Sequence, residues 1–117
     1  MRVLLIEDDP TFAKLLQLQL RTLADPSCEV VLEASLSEAR RRLARERFDV
    51  VFSDMGLPDS RGAKTIEAVA AAANGAPIIV LSGSDQAPPG RAFLRKGDVD
   101  PAQLAAAIRQ AIGGRAP

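Results

Sequence analysis

Residues 2–10 read RVLLIEDDP: Val3, Leu4, Leu5 and Ile6 form an unbroken apolar run, and Glu7, Asp8 and Asp9 follow at once. A strand with one face in water alternates apolar and polar side chains, so a continuous run marks a strand covered on both faces, as in a parallel sheet under helices. Pro10 then suits the first turn of a helix and Asp9 its cap. The same pattern recurs along the chain. Runs at Glu29 to Glu33, Asp49 to Ser53, Pro77 to Ser82 and Ala92 to Arg95 predict four more strands. Phe12, Leu15, Leu16, Leu18 and Leu20 give the first helix an apolar face. Ser35 and Glu38 have capping-box spacing before Ala39, Leu43 and Ala44, and Arg40, Arg41 and Arg42 read as the solvated face of this second helix. A third helix is predicted from about Ser60 to Ala73, carrying Ile66, Val69 and Ala70 and stopping at Asn74-Gly75. Asp100-Pro101 opens a last helix through Leu104, Ala107, Ile108 and Ile112, which Gly113-Gly114 ends. Alternating strands and helices predict an α/β fold, a doubly wound five-stranded parallel sheet with right-handed crossovers and a site at the carboxyl ends of its strands.

The composition of the 117 residues, 47% hydrophobic with 15 Lys plus Arg against 15 Asp plus Glu, is that of one globular domain spanning 1–117, with 113–117 as a tail or linker stub. One cysteine, Cys28, and no histidine exclude an internal disulfide, the usual zinc sites, a His general base and a phosphohistidine carrier. The zero net charge argues against a general nucleic-acid surface. No apolar run is long enough to cross a bilayer, and Glu7, Asp8 and Asp9 interrupt any signal-peptide core, so a cytoplasmic location is expected.

The strand ends carry the chemistry. Glu7-Asp8-Asp9 follow strand one, Asp54 follows strand three, Ser82 ends strand four and Lys96 follows strand five. On a parallel sheet these ends share one edge, where converging carboxylates raise one another's pKa unless a hard cation or a lysine offsets the charge. Mg²⁺ takes carboxylates, carbonyls and water and leaves positions for a phosphoryl oxygen. An ionised aspartate beside it can attack phosphorus, with Lys96 and Ser82 binding the transferred oxygens.

Together, the acidic residues after strand one, Asp54 in VFSDMGLPDS, Ser82 in VLSG and Lys96 in FLRKG resemble the receiver domain of two-component response regulators, over nearly the whole chain. The resemblance implies a flavodoxin-like fold with strand order 2-1-3-4-5 and a phosphoryl group taken from a sensor histidine kinase or phosphotransfer protein. It makes Asp54 the acceptor and gives Asp8, Asp9, Asp54 and the backbone carbonyl of Gly56 to Mg²⁺. Ser82 senses the phosphoryl group, Lys96 pairs with it, and Phe93 stands at the aromatic switch position. Gly83 fits the small residue that admits the phosphoryl group, and Pro58 the proline of the loop after the acceptor.

One stretch departs from that pattern. Nine residues, 83–91, separate the fourth and fifth strands, whereas a helical crossover takes about a dozen or more. The fourth helix is therefore expected to be missing or replaced by a short loop. The sheet face it would cover is then expected to be hidden by a second copy of the chain, a homodimer, or by another partner. A degenerate receiver, acting only by docking or dimerising, is the alternative function. A phosphatase of the aspartyl-phosphate type would need an Asp-x-Asp motif after strand one, which Asp8-Asp9-Pro10-Thr11 lacks.

Overall fold

The computed structural model describes residues 1–24, 28–83 and 90–113. Five strands, β1 (Arg2–Ile6), β2 (Glu29–Glu33), β3 (Val50–Asp54), β6 (Ile78–Ser82) and β7 (Ala92–Arg95), form one all-parallel sheet in the order β2-β1-β3-β6-β7. This is the order expected for the five main strands. Two short strands, β4 (Gly56–Leu57) and β5 (Ser60–Arg61), pair antiparallel in the loop after β3. Four α-helices occur among the described residues: α1 (Pro10–Ala24), α2 (Leu36–Arg45), α3 (Ala63–Ala72) and α4 (Pro101–Gly113).

Burial explains why the strands read as apolar runs. Val3 to Ile6, all of β3 and all of β6 are buried, because helices cover both faces. Alternate residues sort to opposite sides. Val3, Leu5, Val50, Phe52, Ala92 and Leu94 pack against Phe12, Leu16 and Leu20 of α1 and Leu104 of α4. Leu4, Ile6, Val51, Ile78 and Val80 pack against Ala39 and Leu43 of α2 and Ile66 and Val69 of α3. A period of two thus sets which face each strand-end residue joins.

The structure moves the starts of three expected elements, and it ends β3 at Asp54 and α3 at Ala72. β3 starts at Val50, since the Asp49 carboxylate turns to accept the Arg2 backbone N–H at 2.7 Å. β6 starts at Ile78: Pro77 has no N–H to give, and its carbonyl accepts from Val51 at 2.9 Å. α3 starts at Ala63 instead of Ser60, because Ser60 and Arg61 are taken by the small hairpin and Gly62, at φ 79°, makes the turn into the helix.

The second helix has the expected capping box. The Ser35 hydroxyl accepts the Glu38 N–H at 3.2 Å and donates to the Glu38 carboxylate at 3.0 Å. A second cap comes from across the fold. The Asp59 carboxylate, in the β4–β5 turn, accepts the backbone N–H groups of Leu36 at 2.8 Å and Ser37 at 2.9 Å. Those bonds hold its carboxyl below the usual range. Asp59→Ala is expected to cost about 1 kcal/mol in urea unfolding at pH 7, the usual cost of losing a helix cap. A carboxyl depressed in the folded state stabilises above its unfolded pKa and loses that contribution as pH falls through the depressed value. The deficit should therefore shrink in acid.

The solvated face expected of Arg40, Arg41 and Arg42 is only partly so. Arg42 pairs with Glu33 at 2.8 Å and Glu46 at 2.9 Å, while Arg40 and Arg41 are exposed. Residues 84–89, where the missing fourth helix was expected, lie outside the described residues. On the sheet face that this helix would have covered, Ile78 and Val80 are buried and Phe93 is half-buried. Among the described residues no helix is long and apolar enough to cross a membrane.

Candidate functional site

At the carboxyl edge, the alternation that places Val3 and Leu5 on the α1/α4 side carries Glu7 to that side as well. Val50 and Phe52 lead in the same way to Asp54, and Ala92 and Leu94 to Lys96. Three strands therefore deliver two carboxylates and an ammonium to one point. Lys96 Nζ donates to Asp54 Oδ2 at 2.8 Å and is ion-paired with Glu7 Oε1. Asp54 Oδ1 accepts the Gly56 N–H at 3.1 Å. The Lys96 ammonium also lies 5.1 Å from the centre of the buried Phe12 ring, at cation–π distance.

Glu7 is 2% exposed and Asp54 7% exposed, so neither carboxylate is freely hydrated. Burial, with Asp54 next to it, pushes the Glu7 carboxyl up to about 7 against the pull of Lys96. For Asp54 burial works in the same direction. It is outweighed by hydrogen bonds to Glu7, Lys96 and the Gly56 N–H, which hold Asp54 below its ordinary value and keep it ionised. Burial would lower Lys96, but its bonds to Asp54 and Glu7 raise it, so it stays charged.

Asp8 completes the acidic group. Oxygens of Glu7, Asp8 and Asp54 all lie within 4.8 Å of one another. Asp9, expected among the metal ligands, stands elsewhere: its Oδ1 caps α1, accepting the N–H groups of Thr11 at 3.0 Å and Phe12 at 3.5 Å. Glu7 occupies the inner place. Three carboxylates facing one lysine form an oxygen-only, negatively charged cleft, a donor set that fits a hard divalent cation such as Mg²⁺.

Ser82 ends β6, the strand beside Asp54, with Asp54 in register with Leu81. Its place in the alternation puts it on the α2/α3 side, with Ile78 and Val80. Phe93, in register with Val80, packs half-buried against that same cluster. The expected site residues thus divide. Asp54, Lys96 and Asp8 meet in the acidic cleft, while Ser82 and Phe93 lie along the adjoining strands. Glu7 was legible from the parity of β1, and Asp9-Pro10 already reads as a cap. The contact of Phe12 with Lys96 and the cap made by Asp59 carry no local sequence signal.

The pattern of the response regulator receiver domain matches residues 3–101, and the chain belongs to that family. Among relatives, the two-component response regulator ARR11 of Arabidopsis thaliana is 38% identical over 86 residues, covering 70% of this chain and 15% of that protein. The transcriptional regulatory protein GlrR of Escherichia coli is 31% identical over 122 residues, covering 98% of this chain and 27% of that protein. The chain therefore spans less than a third of either. Among solved structures, the receiver domain of the sensor histidine kinase PA1611 from Pseudomonas aeruginosa, with magnesium coordinated in its active-site cleft, superposes with a TM-score of 0.79. It is 27% identical, covering 96% of this chain and 97% of that one. A CheY-like receiver domain from Methylobacillus flagellatus shares the fold, with a TM-score of 0.78 at 20% identity over 95% of this chain and 98% of that one. The chain is thus a receiver domain of two-component systems.

Proposed function

We propose that Asp54 accepts a phosphoryl group from a sensor histidine kinase or a phosphotransfer protein in a Mg²⁺-dependent reaction in the cytoplasm. The observation that carries this reading is the Asp54 carboxylate held ionised between Lys96 and the Gly56 N–H, with Glu7 and Asp8 alongside. One Asp54 oxygen forms a bond to phosphorus as the P–N bond to the donor imidazole breaks, and the imidazole leaves with the electron pair. Water later cleaves the acyl phosphate, restoring Asp54 and releasing inorganic phosphate. These two self-catalysed steps are all the chemistry assigned to the chain.

Glu7, Asp8, Asp54 and the Gly56 carbonyl would hold the cation, with Asp9 kept to its cap. When bound, Mg²⁺ supplies positive charge that neutralises the phosphoryl oxygens. Lys96, bonded to Asp54 and at cation–π distance from Phe12, would take a share of the same charge. Ser82 on β6 and Phe93 on the neighbouring β7, in register with Val80 two residues before Ser82, are the proposed switch: the Ser82 hydroxyl engages the phosphoryl group and Phe93 repacks. A change of assembly, including a homodimer, would be one output. Beside the buried Ile78 and Val80, Phe93 is a half-buried apolar residue on that face.

The test uses a small-molecule phosphodonor and intact mass. The chain is expected to gain one phosphoryl group with Mg²⁺ and none in EDTA. An adduct forming equally fast in EDTA would contradict the role given to the carboxylates. Mg²⁺ should also raise the melting temperature of the stripped protein, read by calorimetry or a dye because the chain has no Trp or Tyr. No shift at millimolar Mg²⁺ would count against the cation site.

A further inference from the structure

The arginines of α2 fall into two sets. Arg42 is satisfied within the fold by Glu33 and Glu46. Arg40, Arg41 and Arg45 are exposed and make no ion pair or side-chain hydrogen bond among the described residues. In a chain of zero net charge this is a local excess, three unpaired guanidinium groups within six residues. The small residues Ser37 and Ala44 lie a turn to either side and open a shallow groove of about 560 Å³ beside Arg40 and Arg41. Arg41 and Arg45 border a second groove with Glu33 and Glu38.

We infer that this face of α2 docks an acidic protein segment. Arg41 and Arg45 stand four residues apart, so their side chains emerge as neighbours one turn apart, roughly 6 Å between Cβ atoms. That spacing matches carboxylates one turn apart on a partner helix, and a planar guanidinium takes a carboxylate through two hydrogen bonds. Glu33 and Glu38 at the groove's border decide between polyanions. A nucleic-acid backbone carries phosphate at every step and would lay some against them, whereas a peptide can set neutral residues there. The helix is well placed for a signalling surface. Its first N–H groups are held by Asp59, five residues beyond Asp54 in the acceptor loop. Docking itself needs only the arginines, so it stands or falls apart from the phosphorylation reading.

The test is fluorescence anisotropy with a short glutamate-rich peptide, using the full chain, R41Q/R45Q and R109Q, whose altered residue is an exposed arginine of α4. Circular dichroism confirms that each variant is folded. The chain is expected to bind the peptide in low salt, to lose affinity as salt rises, and to bind about tenfold more weakly in R41Q/R45Q with R109Q unchanged. Three results would overturn the inference. They are no binding in low salt, an equal loss in R109Q, and tighter binding of a duplex DNA of equal charge with the same dependence on Arg41 and Arg45.

Discussion

Lys96→Ala is expected to slow formation of the phosphoryl adduct by about 100-fold or more, the scale of losing one charged group that stabilises a reacting centre. Two effects add. In the resting site the ammonium bonds to both Glu7 and Asp54, and without it two buried carboxylates face each other uncompensated. One of them then retains a proton, which makes Asp54 a poorer nucleophile. The phosphoryl oxygens also lose their fixed cation on the Lys96 side. Mg²⁺ affinity should hold or rise, because the cation becomes the site's main positive charge. Adduct formation followed by intact mass, beside Mg²⁺ titration by calorimetry, separates the two quantities. A rate within about twofold of the parent would remove Lys96 from the reacting centre.

The second large effect concerns the stability of the metal-free protein. The Glu7 carboxyl is raised from an ordinary 4.5 to about 7 in the folded state. Between those values the folded chain holds more protons than the unfolded one, so stability falls as pH rises through that window. The melting temperature in EDTA is therefore expected to drop by about 5 °C or more from pH 5 to pH 8. Glu7→Gln keeps the shape, removes the titrating charge and should flatten that slope. Mg²⁺ at pH 8 should restore the parent by neutralising the cluster. Parallel curves for the parent and Glu7→Gln would show that Glu7 is not the strained group.

The legible parts of this molecule are those governed by period and by local caps. Val3 to Ile6 are apolar throughout because both sheet faces are covered, and that alone separates a parallel sheet from a half-exposed one. The cap at Ser35 and the turn at Asn74-Gly75, where both residues take positive φ, are short-range features that the sequence states directly. The strand ends gave Asp54, Lys96 and Asp8. Glu7, one residue past β1, continues its alternation into the cleft, whereas Asp9 before Pro10 caps α1. Other features are long-range. Asp59 reaches the N-terminus of α2 across 23 residues, and Phe12 meets Lys96 only after β1 and β7 are placed in the same sheet. The small hairpin that delays α3 depends on Ser60 pairing with Leu57 and bonding to Thr65, which helical periodicity cannot reveal.

Asp54 itself is expected to carry the phosphoryl group. The direct measurement is intact mass of the parent and Asp54→Asn after the same incubation with phosphodonor and Mg²⁺, followed by peptide mapping of any adduct. A single phosphoryl adduct is expected on the parent, mapped to Asp54 and absent from Asp54→Asn. An adduct that persists in Asp54→Asn, or none on a parent whose fold Mg²⁺ also fails to stabilise, would contradict it, and the second result would leave the fold serving docking alone.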